Sequence, residues 1–539
     1  MGPRSSPNCQ TSIQENMSNN LIPSNTAKKD ILKIDLALLF TFSIVLFSSF
    51  VLLKHQFFSF PDSMNYAAIA REIGRGNGFT TKQIRPLSLF FDGSYQDHPT
   101  LVRPPLYPLL VAISQKIFGP VGFASLAVNI LAFSAIPPSI YYLGRQFFDR
   151  YVALTSGALI IFNYQLIRYS IGGLTEPLYT LFFILLIIAI FKDRYVLAGF
   201  FLGLSYLTHY STQLLVPGVV LLILVNSSQI RDRIYNTGIT GFITVLTTSP
   251  WLIRNLIIAG DPFFSLQRYE VVMFTQTYPA RTLYRLFEPI SVSEFIINNP
   301  TEMVVKFIQG LQALYIGIPS LHQNWIIIPL AAIGLYHSKF DKKRALLVGI
   351  AGMIAIQFVM LASISPLSRL FIRFSPIIVL FSSVGIIAIV DRFNPKIESN
   401  LFRIPEISQR SLVLFIVVIV IIPNIFAMAL LNPTSEYVAE EQETFNEIKS
   451  ETPEDAVIIS NTPWTISWFA DRVAIWMPAK EETINEEMSD VDYIYVSPRS
   501  NIENQREKFD LIESEIVEKE FEVVREFESG GILLQRTEN

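Results

Sequence analysis

The stretch FFSFPDSMNYAAIAREIGRGNGF, residues 57–79, places Asp62 directly after an apolar run long enough to cross a bilayer. A carboxylate at the hydrocarbon boundary is partly desolvated, which raises its pKa and makes it a stronger base. The competing use is structural. After Pro61, Asp62 caps the helix SMNYAAIAREI by accepting bonds from its first amides. Glu176, between Thr175 and Pro177, is a second carboxylate at the head of an apolar run. A charge at a span end is costly and points to function, although a helix-start carboxylate has the same sequence. Three arginines share this geography: Arg103 before a Pro-Pro pair, Arg254 at the end of one span and Arg369 at the mouth of another, with Arg373 one turn deeper. A guanidinium fork suits anionic oxygens, and headgroup binding or snorkelling competes as an explanation.

The elements that position these side chains belong to a membrane protein. Of 539 residues half are apolar and only 16% charged, so the bilayer is the main solvent. The single cysteine, Cys9, leaves no internal disulfide and no cysteine metal cluster. Residues 1–30 are rich in Ser, Asn and Gln and read as a disordered cytoplasmic tail with no signal-peptide core. The net charge of −4 hides an asymmetry: residues 432–539 hold 26 acidic and 9 basic residues, and the rest of the chain is basic. An acidic tail argues against nucleic acid.

Apolar runs at 34–53, 121–143, 151–166, 174–191, 195–208, 210–227, 235–253, 324–336, 345–362, 370–390 and 411–431 predict about eleven transmembrane helices. Lys and Arg cluster in alternate short loops, which puts the N-terminus in the cytoplasm and the C-terminus outside. Three large segments then share the external face: loops 54–120 and 254–320, and the tail from 432. Within the loops, 104–119 and 301–317 read as amphipathic helices lying on the membrane, since counting either as a span inverts the charge pattern beyond it. The chain divides into the tail at 1–30, a transmembrane domain at 31–431 and an external domain at 432–539. That last part reads as small and α/β, with an acidic amphipathic helix at 434–450 and strands at 455–460, 472–478, 491–497, 521–527 and 531–536.

These motifs resemble the GT-C superfamily of membrane glycosyltransferases, in the branch of the lipid A aminoarabinose transferase and the protein O-mannosyltransferases. The resemblance rests on Asp62 after the first span, the Y..IA..I..G.GF helix and RPPLYPLLVA at 103–112. It continues through GGLTEPLYTLFF at 172–183, LTHYSTQLLVPGVVLLIL at 207–224, SPWLIRNLIIAGDPFF at 249–264 and SRLFIRFSP at 368–376, from about residue 34 to about 500. Each motif is weak alone, and their order and spacing carry the match. Members often read RYLLPLLP where this chain has RLFIRFSP, so Arg369 and Pro376 match while Arg373 replaces a proline. That departure makes Arg373 either a second phosphate contact or an intramembrane ion-pair partner.

The resemblance implies transfer of a sugar from a polyprenyl- or dolichyl-phosphate donor to a protein, lipid or glycan acceptor at the external face, with inversion. Asp62 is then the base for the acceptor hydroxyl and Glu176 orients the acceptor or binds a metal. Arg103, Arg254, Arg369, Arg373 and His209 meet the donor phosphate, whose charge removes the need for a general acid. Some relatives use zinc or another divalent cation, for which Asp97, His98 and His322 are the candidates; no two histidines stand at a ligand interval. The tail domain reads as a scaffold or lid, and membrane lipids surround the whole in what is expected to be a prokaryotic plasma membrane. A multispan transporter or lipid flippase is the alternative. Against it, no inverted repeat is visible and the charges gather at span ends instead of the midplane.

Overall fold

The computed structural model describes residues 25–54, 58, 60–119, 122–321, 324–338, 344–393, 409–431, 436–480, 482–498 and 515–537. Every apolar run becomes helix, since only a helix satisfies its own backbone among apolar surroundings. The helix Asn25–Lys54 packs on Ala127–Phe147, Tyr195–Thr208 on Ile230–Ala259, Val216–Asn226 on Arg344–Ile364, and Ile327–His337 on Ser375–Phe393. Among the described residues five helices are long and apolar enough to cross a membrane: Lys29–Lys54, Ala127–Phe147, Ile230–Ala259, Ser368–Arg392 and Arg410–Leu430. The run at 345–362 lies in the helix Arg344–Ile364, the remaining expected spans are shorter apolar helices, and in one of them polar punctuation divides the run. Asn163 accepts a bond from the Leu166 amide at 2.9 Å, so the run 151–166 splits into Arg150–Ile161 and Tyr164–Ile171. The run at 370–390 opens instead on a 3-10 turn, Ser368–Phe374, which carries Arg369 and Arg373.

In the first loop the helices Pro61–Arg75 and Leu106–Phe118 pack together through Tyr66, Ala70, Tyr107 and Val111. In the second, two 3-10 turns and the short helix Val292–Asn298 lead to Pro300–Ser320.

The tail strands β2 (Val457–Ser460), β3 (Val473–Trp476), β4 (Tyr493–Val496), β5 (Phe521–Glu526) and β6 (Ile532–Arg536) fall within the predicted runs. The sheet nevertheless has six strands, ordered β1-β3-β2-β4-β6-β5, because β1 (Gln83–Ile84) comes from the first loop. Strand β1 runs parallel to β3 with Gln83 opposite Ala474 and Ile84 opposite Ile475. The first loop and the tail thus contribute strands to one sheet.

Alternation along the strands explains why both sheet faces are covered. Val457, Ile459, Val473, Ile475 and Ile494 point to one side, into a single apolar cluster with Ile84, Leu87 and Leu101 of the first loop and Leu266, Val272 and Tyr284 of the second. Ile458, Ala474 and Tyr495 point to the other side, onto Phe445 and Ile448 of the helix Glu436–Glu451. The three segments read as sharing one side of the membrane thus have one common core.

Ion pairs reinforce the join. Asp471 meets Arg71 at 2.9 Å, Arg75 at 2.6 Å and Lys82 at 2.9 Å. Its backbone is left-handed, with φ of 57°, a conformation aspartate tolerates better than most residues.

Candidate active site

Asp62 does not cap its helix. Phe60 is the N-cap, Pro61 and Asp62 open the first turn, and the carboxylate turns away to two guanidinium groups. Oδ1 accepts from Arg103 Nη2, and Oδ2 accepts from Arg369 Nη2 at 2.6 Å. Two neighbours hold Arg103. Its Nε donates to Asn65 Oδ1 at 3.0 Å, and its guanidinium lies 4.8 Å from the centre of the Tyr66 ring. Asn65 and Tyr66 stand on the helix that Asp62 opens, so one short helix aligns both partners of the pair. Arg369 Nε lies 3.6 Å from Oε1 of Glu176, which is 3% exposed at the start of the helix Glu176–Phe191.

The motif GGLTE brings these elements close. A Cβ on Gly173, whose φ is +72°, would lie 2.6 Å from the Phe58 ring and 3.1 Å from Ser63. Only glycine lets the start of the Asp62 helix sit against the turn that leads into Glu176.

The expected rise in the basicity of Asp62 is corrected by this geometry. Burial does favour its neutral form, yet the charges of Arg103 and Arg369 outweigh burial and hold the carboxyl well below the usual carboxylate range.

Asp62, Arg103, His209 and Arg369 line a cavity of about 190 Å³, with Ser211, Arg268, Glu270 and Leu361 among its other walls. Three other guanidinium groups, unread from the sequence, also face it: Arg268 pairs with Asp261 at 3.0 Å, Arg85 lies 5.2 Å over Tyr284 and Arg281 stands on the second loop. Neither Arg85 nor Arg281 has a carboxylate partner among the described residues, and the buried Arg85 Nε has no acceptor there. Burial first, then the charge of Arg103, pushes Arg85 down to about 10. A signal existed: IRPL at 84–87 repeats the Arg-Pro pairing of VRPP at 102–105, and proline holds its predecessor extended. Arg85 has φ −99° and ψ 134°.

The tail domain also reaches the cavity, through Trp476 of β3. Lys306 fixes the second-loop wall from behind, donating from Nζ to the carbonyls of Glu270 and Val271, each at 2.6 Å. Burial pushes this lysine down to about 8.

Two of the expected phosphate ligands lie elsewhere. Arg254 stacks 4.5 Å over Trp251, one turn back on its own helix, and donates to Asn255 at 3.2 Å, outside the cavity lining. Arg373 is completely buried, 4.6 Å over the Tyr179 ring, and donates to the Tyr179 hydroxyl and to Ser211 Oγ at 3.3 Å. It has no carboxylate partner among the described residues and no place in the cavity lining.

Of the metal candidates, His98 has both ring nitrogens engaged, Nδ1 with the Ser94 carbonyl at 2.9 Å and Nε2 with Ser88 Oγ at 2.8 Å. Asp97 is an exposed turn residue with φ of 54°, and His322 lies outside the described residues. Among the described residues no three His, Cys, Asp or Glu side chains form a metal-ligand group.

Comparison with known proteins agrees with the fold. The family profile described as dolichyl-phosphate-mannose-protein mannosyltransferase matches residues 102–253. A search of curated proteins finds no match. Among solved structures, ArnT from Cupriavidus metallidurans bound to undecaprenyl phosphate superposes with a TM-score of 0.58 at 14% identity, covering 92% of this chain and 97% of that one. The Archaeoglobus fulgidus oligosaccharyltransferase in complex with zinc and sulfate gives 0.55 at 14% identity, covering 92% and 73%. Its complex with an inhibitory peptide and a dolichol-phosphate, under the name AglB, gives 0.54 at 13% identity, covering 93% and 74%. The chain thus has the fold of the GT-C superfamily, and its resemblance to the branch of ArnT and the protein mannosyltransferases stands on both the profile and the structures.

Proposed function

We propose that this protein is an integral membrane glycosyltransferase that passes a sugar from a polyprenyl- or dolichyl-phosphate donor to an acceptor hydroxyl at the external membrane face. One observation carries the reading: a carboxylate, Asp62, held between Arg103 and Arg369 on the wall of a cavity that also presents Arg85 and Arg281, which have no carboxylate partner among the described residues. ArnT and AglB, which share the fold, bind undecaprenyl phosphate and dolichol-phosphate.

In the proposed reaction Arg85 and Arg281 take the donor phosphate, in place of Arg254 and Arg373. Their charge supports the leaving phosphate as the sugar–oxygen bond breaks, so no general acid is needed. Asp62 accepts the proton of the acceptor hydroxyl as that oxygen attacks the anomeric carbon from the opposite side, and the configuration inverts. In the resting state Asp62 is a weak base because two guanidinium groups stabilise its charge. Phosphate competes for those same donors, so donor binding draws Arg369 and Arg103 from the carboxylate and strengthens it as a base. Glu176 serves through Arg369, holding that side chain where it can turn between carboxylate and phosphate.

The test is release of free polyprenyl phosphate from a lipid-linked sugar by the purified protein in detergent. Release that depends on Asp62 supports the reading. A protein that moves the intact lipid across a vesicle membrane with no release would be a transporter.

A further inference from the structure

We infer that His209 is a neutral hydrogen-bond donor for an uncharged oxygen of the transferred sugar, locked by its surroundings in the tautomer with the proton on Nε2. This rests on the glycosyl-transfer reading of the cavity and assigns His209 to sugar recognition instead of phosphate binding.

The tautomer follows from one hydrogen bond. The Ser211 amide donates to His209 Nδ1 at 3.1 Å. An amide N–H is a donor only, so Nδ1 keeps its lone pair and the proton of the neutral ring sits on Nε2. Protonating Nδ1 would set two N–H groups against each other. His209 stands where the helix Tyr195–Thr208 gives way to the 3-10 turn Tyr210–Leu215, and that turn brings the Ser211 amide back to the ring.

The charges around the ring oppose a second proton. Its plane is stacked on Tyr179, with centroids 5.5 Å apart and planes 16° apart, and the Arg373 guanidinium lies 4.6 Å over that same tyrosine. Arg369 and Arg103 add positive charge from the cavity wall, and Asp62 opposes them by favouring the charged ring. Burial first, then Arg373, Arg369 and Arg103, pushes the imidazole down to about 3. This also gives the fully buried Arg373 a use: its charge acts on the ring through the Tyr179 stack.

Nε2 is left to the ligand. His209 lines the cavity, and among the described residues nothing accepts a bond from Nε2. A phosphate is better served by the guanidinium groups in the same cavity, whereas one neutral N–H matches a sugar hydroxyl or ring oxygen.

Two measurements test this. In detergent-solubilised full-length protein with selectively ¹⁵N-labelled histidine, the His209 signals are assigned by their loss in His209→Gln. They should report the Nε2–H tautomer unchanged from pH 7.5 to 5. Titration near pH 6.5, or an Nδ1–H tautomer, overturns the assignment. Competition binding then separates sugar from phosphate. His209→Leu should weaken dolichyl-phosphate-linked mannose by about three- to ten-fold, the worth of one neutral hydrogen bond, while undecaprenyl phosphate changes less than about two-fold. Equal losses for both lipids, or none for either, overturn sugar recognition. If the wild-type protein binds neither lipid, the glycosyltransferase reading fails and the tautomer result is unaffected.

Discussion

Asp62 and Arg369 are 307 residues apart in the chain and 2.6 Å apart in space. The contact joins the first loop to the turn before a late helix, and it sets the charge state of the proposed base. Asp62→Asn should reduce transfer at least about 100-fold, the usual scale for losing a positioned base. Binding of undecaprenyl phosphate, measured by competition, should not weaken and should tighten, because the variant no longer holds Arg103 and Arg369 against the phosphate. Near-normal turnover would remove Asp62 from the base role.

The same pair predicts a pH effect with a definite sign. The guanidinium groups favour the ionised carboxyl, so in the free enzyme Asp62 stays charged below the usual carboxylate range. Arg369→Gln removes one of them, favours the protonated form, and should move the acid limb of kcat/KM to higher pH. A profile from pH 4 to 8 checks this, since kcat/KM reports the free enzyme. A limb at the same pH in both proteins would mean that Asp62 does not control it.

Arg85 and Arg281 should each matter to the donor phosphate where Arg254 does not. A charge-assisted hydrogen bond contributes about 1.5–3 kcal/mol, so Arg85→Gln and Arg281→Gln should each weaken undecaprenyl phosphate by about ten- to a hundred-fold. Arg254→Gln, stacked on Trp251, should stay within about two-fold. Titration calorimetry in detergent separates the three.

How far the sequence foretold this arrangement depends on the kind of signal. Asp62, Glu176 and Arg369 each sit at the end of an apolar run, which can be read from hydropathy, whereas Arg103 is marked by the Pro-Pro pair that follows it. Arg254 and Arg373 sit at similar depths, but hydropathy does not say which side of a helix faces the cavity, and an aromatic neighbour claims each of them. Arg85 and Arg281 belong to loops without periodicity, and only the tertiary fold leaves them unpaired. Four-residue strands such as β2 and β4 are legible as short buried apolar runs. Strand β1, with two residues in a polar stretch, has no such signature and forms because β3 offers it an edge.

Gly173 tests the approach of the Asp62 helix. Alanine there adopts a left-handed backbone at a cost of about 1–3 kcal/mol and meets the Phe58 ring. Gly173→Ala should lower the thermal midpoint by a few degrees and reduce kcat more than it raises KM for the donor, because it displaces the carboxylate. An unchanged kcat would show that the turn can yield without moving Asp62.

Asp471 tests the join between loop and tail. Burial alone would raise its pKa, but the bond from Arg75 and the charges of Arg71 and Lys82 hold it below the usual range. A depressed carboxyl stabilises the fold fully above its unfolded pKa of about 4, and that contribution is lost as pH falls through the folded value. Asp471→Asn should cost about 1–3 kcal/mol at pH 7. The gap in thermal midpoint between it and wild type should narrow below pH 4. A gap independent of pH would assign the effect to packing.

Pairing of β1 with β3 has a consequence for biosynthesis. The ribosome delivers Ala474 about 390 residues after Gln83, so Gln83 and Ile84 must wait for their neighbour. Trp476, arriving on that late neighbour, completes the chamber. A copy cut after residue 431 should therefore insert into the bilayer and, without β3 and Trp476, release no polyprenyl phosphate from a lipid-linked sugar.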